Sequence, residues 1–283
     1  MTSRPTSIRS ALLAVFMFAG ALTLGAVQAG TVAPGFDSNT IPANDDGYTT
    51  SPVSLGFTAN FFGADYSGLY VNNNGNVTFN APQSTYTPSG LGSSYSGQPI
   101  IAPFFADVDT RGAGSGLTSY GTGMYAGHDA FGVTWPAVGY YGSHVDKLNT
   151  FQLILVDRSD SGTGNFDFYF NYDQIQWETG DASGGSGGLG GISAAVGYNA
   201  GQGKAAGADA VLPGSLISGA LLDGGPESLV AGTNNNVPGQ FMFQVRNGSV
   251  VTPPTGVPEP GPLGMLAFGL LAAGWLVRRH RQA

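Results

Sequence analysis

The chain has 283 residues, 46 of them glycine and none of them cysteine, with a formal net charge of −8. Without cysteine no disulfide can staple it, and its acidity disfavours nucleic acid and anionic lipid as partners. Glycine, tyrosine, phenylalanine and asparagine are heavily used and lysine is nearly absent, the composition of a turn-rich β protein and not of a helical one.

At the start, Arg4 and Arg9 form a basic n-region, Ala11 to Val27 an apolar h-region, and Val27-Gln28-Ala29 a small-x-small cleavage site. This predicts a signal peptide over 1–29, with cleavage after Ala29 and a mature start at Gly30. All 18 acidic residues lie beyond Ala29. Setting aside both ends of the chain leaves 17 acids against the five bases Arg111, Lys147, Arg158, Lys204 and Arg246. That balance suits a protein that stays soluble outside the cell, and it attracts cations.

Residues 30–52 read as a leader, with Asn44-Asp45-Asp46-Gly47 a strong turn signal. The domain proper is predicted over 53–247. Val53 to Phe62 is its first strand, with Val53, Leu55 and Phe57 inward. Leu69 to Val71 and Val77 to Phe79 pair around Asn73-Asn74-Gly75, where asparagine and glycine serve a turn that needs positive φ. A polar loop over 81–98 leads to the apolar run Pro99 to Phe105. The glycine-rich segment 111–123 is expected to be a surface loop, and Phe131 to Trp135 the core of a further strand.

Thr150 to Asp157 is nearly continuously apolar and is placed at the centre of a sheet. Phe166, Phe168 and Phe170 alternate with Asp167, Tyr169 and Asn171, which gives one apolar face. The tract 180–191 reads as a flexible loop. Ile192 to Tyr198 and Gln240 to Val245 complete the strands. Short strands between frequent turn signals mean a sandwich or barrel. The fold class expected is all-β, an antiparallel β-sandwich flanked by an N-terminal signal peptide and a C-terminal transmembrane helix.

Several stretches in order resemble the NIDO (nidogen-like extracellular) domain. They include Phe61-Phe62-Gly63, Tyr70-Val71-Asn72, Asn74-Gly75 and the run Ile100 to Asp109. Val133-Thr134-Trp135, Asn149 to Gln152, Asn171-Tyr172 with Ile175 and Trp177, and Val196 to Asn199 follow. The resemblance implies an extracellular module that acts in adhesion or matrix assembly and not as an enzyme.

The chain ends in a proline-rich linker over 248–260 containing Pro258-Glu259-Pro260, an apolar run over 261–277 and a basic tail over 278–283. The run is at the short limit for a membrane-spanning helix. Arg278, Arg279 and Arg281 act as the membrane stop and stay on the cytoplasmic side. The order of these parts resembles the PEP-CTERM sorting signal of Gram-negative bacteria. It implies an exosortase as partner, an inner-membrane anchored precursor, cleavage near the motif, and delivery to the cell surface or exopolysaccharide matrix. An ordinary tail anchor behind a linker is the plainer alternative.

Candidate chemistry is sparse. Asp107 and Asp109 lie two apart, so on an extended strand both face the same way. They are candidate calcium ligands, a carboxylate pair for glycoside hydrolysis, or strand-end turn formers; Asp45 and Asp46 are open to the same choice. His128 and His144 are expected in loops and are not at metal-ligand spacing, and no G-x-S-x-G turn is present. Trp135 and Trp177 read as core, while Tyr86, Tyr95, Tyr140 and Tyr141 are left open as sugar-stacking or rim residues. An exopolysaccharide or surface glycoprotein is the expected ligand class. A carbohydrate-binding module is the alternative, and a secreted glycoside hydrolase stands well behind. No cofactor beyond calcium is expected.

Overall fold

The computed structural model describes residues 32–202 and 207–251. The strands in chain order are β1 (Asn39–Thr40), β2 (Val53–Phe61), β3 (Ala64–Asn72), β4 (Asn76–Thr78), β5 (Ile100–Phe105), β6 (Val108–Asp109), β7 (Ser119–Tyr125) and β8 (His128–Tyr140). Then come β9 (His144–Asp157), β10 (Phe166–Gln174), β11 (Gly185–Ser186), β12 (Leu189–Gly190), β13 (Ala195–Asn199), β14 (Asp209–Val211), β15 (Gln240–Arg246) and β16 (Ser249–Val251).

The fold is all-β. One antiparallel sheet runs β1-β7-β8-β9-β10-β15-β16, with β6 paired to β8 beside this path, and the other runs β14-β13-β5-β4-β3-β2. β11 and β12 form a small separate hairpin. The two sheets bury a common core. From the smaller sheet it takes Leu55, Leu69, Val71, Ile101 and Phe104; from the larger, Val133, Trp135, Phe151, Leu153, Leu155 and Phe168. Phe104 meets Phe151 across the layers at 5.2 Å between ring centroids, and Trp135 stacks on Phe151 at 4.9 Å.

β9 sits in the middle of the larger sheet. Its nearly continuous apolar run is explained by burial on both faces. Phe151, Leu153 and Leu155 enter the common core, while Ile154 and Val156 join a second cluster with Phe36, Ala130 and Tyr169 on the outer face. That outer face is covered by residues 33–38, part of the stretch read as a leader. The cover is possible because the strands beneath lack side chains where it crosses. A Cβ at Gly132 would lie 2.4 Å from the Phe36 ring, and one at Gly121 would lie 2.3 Å from Ser38 Oγ.

Three expectations change. Segment 111–123 is not all surface loop, since β7 begins at Ser119 and pairs with β8 from Ser119↔Thr134 to Tyr125↔His128. Its glycines, which argued against a strand, serve the crossing just described. The 180–191 tract does not lie loose over the domain. It carries the β11–β12 hairpin, and the backbone carbonyl of Gly188 accepts from the N–H groups of Glu178 and Thr179. His128 and His144 begin β8 and β9 and are not in loops.

Among the described residues no helix is long and apolar enough to cross a membrane. The signal peptide with Ala29 and Gly30, the Pro258-Glu259-Pro260 motif, the apolar run 261–277 and Arg278, Arg279 and Arg281 all lie outside the described residues.

Candidate functional site

The β3–β4 hairpin turns through Asn73, Asn74 and Gly75, with Asn72 opposite Asn76. Gly75 has the positive φ, +71°, whereas Asn73 and Asn74 do not. Gly75 is required for a second reason, because a Cβ there would lie 1.7 Å from the Phe104 carbonyl oxygen. The asparagines are therefore not turn formers by backbone preference. They are buried cross-links. Asn73 Nδ2 donates to the Asp45 carbonyl at 2.8 Å and the Val108 carbonyl at 2.7 Å, and its Oδ1 accepts from Thr118 Oγ1. Trp135 Nε1 donates to the Asn73 carbonyl, which ties the turn to the core.

Three segments meet at this turn. The 44–47 loop docks through Asn73 N–H to the Gly47 carbonyl and Thr110 N–H to the Asn44 carbonyl. Asn44 Oδ1 closes the loop by accepting from Gly47 N–H. The second segment is the corner between β5 and β6, where the chain leaves the smaller sheet and joins the larger; it carries Ala106 and Asp107. Asn74 Oδ1 accepts from Val108 N–H at 2.9 Å, and Asn74 Nδ2 donates to Asp46 Oδ1 at 2.8 Å. The third is Gly180, packed so closely that a Cβ on it would lie 2.4 Å from Asp107 Oδ2.

Asp107 and Asp109 do not act alike. The bend at the corner takes Asp107 out of the strand, so the period of two does not apply. Asp109 is fully engaged. Its Oδ1 accepts from Arg111 N–H and Nε, and its Oδ2 accepts from Arg111 Nη2 at 2.7 Å and Ser143 N–H at 2.8 Å. Burial pushes the Asp109 carboxyl up, but these donors outweigh it and hold it below its ordinary value. Arg111 Nη2 also reaches Asp45 Oδ2 at 3.0 Å.

Asp107 is 1% exposed, and neither carboxylate oxygen has a hydrogen-bond partner. Asp45 Oδ1 is likewise buried and unpartnered. One carboxylate oxygen each from Asp45, Asp46 and Asp107 lies within 4.8 Å of the others. Burial, then repulsion from Asp45, Asp46 and Asp109, pushes the Asp107 carboxyl up to about 7. Burial, then Asp109 and Asp46, pushes Asp45 up to about 6 against the pull of Arg111. Asp45, Asp46 and Asp107 can hold a hard cation, and Asp109 is already neutralised.

The remaining candidates divide simply. Trp135 and Trp177 are fully buried, with Nε1 of Trp177 donating to the Val138 carbonyl. Tyr140 is buried and donates its hydroxyl proton to Asp146, whereas Tyr86 and Tyr141 are exposed. Tyr48 and Tyr120 flank a groove of about 340 Å³ beside Thr49 and Pro52. A second cleft, of about 460 Å³, lies between Leu212, Glu227, Asn234 and Phe241.

Sequence comparison agrees with this frame. The nidogen-like domain (NIDO) family matches residues 67–124 and 120–247. The chain belongs to the nidogen-like domain family. It is similar to alpha-tectorin of Mus musculus, 36% identical over 245 residues, which covers 78% of this chain and 10% of that protein. The figures for alpha-tectorin of Homo sapiens are the same. Nidogen of Drosophila melanogaster is 30% identical over 207 residues, 65% of this chain and 14% of that protein. The chain thus spans 10–14% of the length of these relatives. No solved structure matches it. The NIDO match takes in the Asn73–Gly75 turn and Asp107, while Asp45 and Asp46 precede it.

Proposed function

We propose that this NIDO protein is exported and serves outside the cell as a structural component of a matrix or surface, in adhesion or matrix assembly and not in catalysis. The observation that carries this reading is the family match over the β domain, shared with alpha-tectorin and nidogen. The acidic balance of the region between the two ends supports it, since such a surface keeps a protein soluble and apart from anionic lipid.

The destination is set by the ends of the chain. On this reading residues 1–29 direct export, and the arginines behind the apolar run hold a precursor in the inner membrane. Release must then be covalent, within the segment that carries prolines 253, 254, 258, 260 and 262. Exosortase is the partner that the Pro258-Glu259-Pro260 motif implies. Pro258→Ala with Glu259→Ala is expected to leave the protein uncleaved in the inner membrane of a host that carries an exosortase. Fractionation with an antibody to the β domain reads the outcome, and normal processing of the double variant would reduce the tail to a plain anchor.

A carbohydrate-binding role is the second reading, favoured by the exposed Tyr48 in the groove with Tyr120. A glycan array separates the two readings. Binding to an exopolysaccharide that is lost in Tyr48→Ala would establish the second.

A further inference from the structure

We propose that Asp45, Asp46 and Asp107 form a calcium site that fastens the N-terminal stretch to the corner between the two sheets. The donors are all carboxylate oxygens, the set that hard cations choose over transition metals. Calcium ligands sit about 2.4 Å from the ion, so two of them lie at most about 4.8 Å apart, a bound that the three donor oxygens meet. Magnesium demands a near-ideal octahedron and keeps most of its water, which a pocket built on a buried side chain serves poorly.

The decisive residue is Asp107. A buried carboxylate that belongs to the fold alone is paired or hydrogen-bonded, yet both oxygens of Asp107 are without a partner at 1% exposure. A trapped water could donate to one of them, but it would leave the repulsion among three acids untouched. Arg111, the cation at hand, is taken by Asp109 in a two-pronged pair and spares one contact for Asp45. Four carboxylates thus face one guanidinium, and a divalent ion supplies the charge that is missing.

The surroundings are built to hold the pocket's shape. Asn74 fixes Asp46 with its amide N–H and the backbone of Val108 with its carbonyl. Gly180 presses its backbone against Asp107 where any side chain would collide. Asp45 and Asp46 are only partly buried, which leaves an entry from solvent. Bound calcium joins residues 45–46 to residue 107, a long-range link in a chain that has no disulfide. The site does not depend on the proposed adhesive role, so either can fail alone.

The test uses the exported protein stripped with EDTA and dialysed, then titrated with CaCl2 or MgCl2 at pH 7.5. Calorimetry should show calcium binding near one equivalent. At a calcium concentration of a hundred times Kd the melting temperature should rise by about 5–10 °C. Asp107→Asn keeps the shape, removes one charge and should abolish the calcium response. In EDTA it should melt no lower than the wild type, because repulsion falls; this separates a lost site from a damaged fold. Asp45→Asn should also lose the response, whereas Asp160→Asn, outside the cluster, should keep it. The proposal is overturned if folded wild type shows neither heat nor a thermal shift with calcium, if magnesium matches calcium, or if Asp107→Asn responds as the wild type does.

Discussion

Two buried aspartates, one within β10 of the larger sheet and one at the corner where the chain passes between the sheets, set out the logic of this protein. Asp167 in β10 is 1% exposed, as Asp107 is. It accepts from Arg158 Nη1 at 2.8 Å and makes a 2.7 Å ionic contact with Arg246 Nη1. Two of the few basic residues between the chain's ends reach this one carboxylate, although Arg158 also pairs with Asp160. Asp107 has no such partner and is surrounded by three further acids. The chain completes one buried charge from its own side chains, and the proposed calcium would complete the other. A buried charge left alone costs several kcal/mol, so the two sites should respond differently to an added ion.

The largest effect is expected where Asp167 is made to resemble Asp107. Arg158→Met with Arg246→Met leaves a buried carboxylate without a counter-charge. Both arginines are about a quarter exposed or less, so the cost should fall at the lower end of the range for breaking a buried pair, about 3 kcal/mol. Urea unfolding reads it directly, and no added divalent ion should restore it. Recovery in calcium would show that any buried acid here gathers an ion, and the contrast would be broken.

An intermediate effect is expected from pH. The folded-state values of Asp107 and Asp45, about 7 and about 6, are raised from 3.8. Raised carboxyls stabilise fully below the unfolded value, and that contribution is lost as pH rises through the folded one. In EDTA the protein should therefore lose stability between about pH 4 and pH 7 from these two groups. Calcium must displace the same protons, so its thermal shift should be full at pH 7.5 and nearly absent at pH 5. Asp107→Asn should flatten both trends. A calcium shift of equal size at pH 5 would remove Asp107 from the site.

The smallest effect is expected at the far end of the chain. Changing Pro258 and Glu259 should alter where the protein goes and leave its melting temperature unchanged, since the motif lies beyond the last core strand.

The strands were legible because burial writes a period into the sequence. Phe166, Phe168 and Phe170 alternate and do enter the core, and the nearly continuous apolar run at β9 does lie at the sheet's centre. β7 was not legible. Gly121 and Gly123 interrupt its pattern, and their reason is Ser38 and Phe36 lying over them, a contact between segments about 85 residues apart, beyond any local period. The hairpin at Asn73 was found for a partly wrong reason. Its asparagines are read as turn residues when taken alone, and only the folded chain shows them holding Asp45, Asp46 and Val108.

The acidic site was half legible. Asp107 stands out in sequence, but its pairing with Asp109 assumed a straight strand, and the chain bends there to change sheets. Its true companions, Asp45 and Asp46, lie some sixty residues away. They match no spaced calcium loop, because the fold and not the spacing brings them together. Gly180 sits in a tract that composition alone marks as a loop. What it does follows only from the 2.4 Å that separates its missing Cβ from Asp107.

The most direct measurement is the anomalous X-ray signal from crystals of the protein grown in calcium. The account predicts a calcium peak about 2.4 Å from carboxylate oxygens of Asp45, Asp46 and Asp107, with Asp109 still held by Arg111 and no peak at Asp167. A pocket that holds only water at hydrogen-bond distance, or a peak that includes Asp109 and omits Asp107, would contradict it.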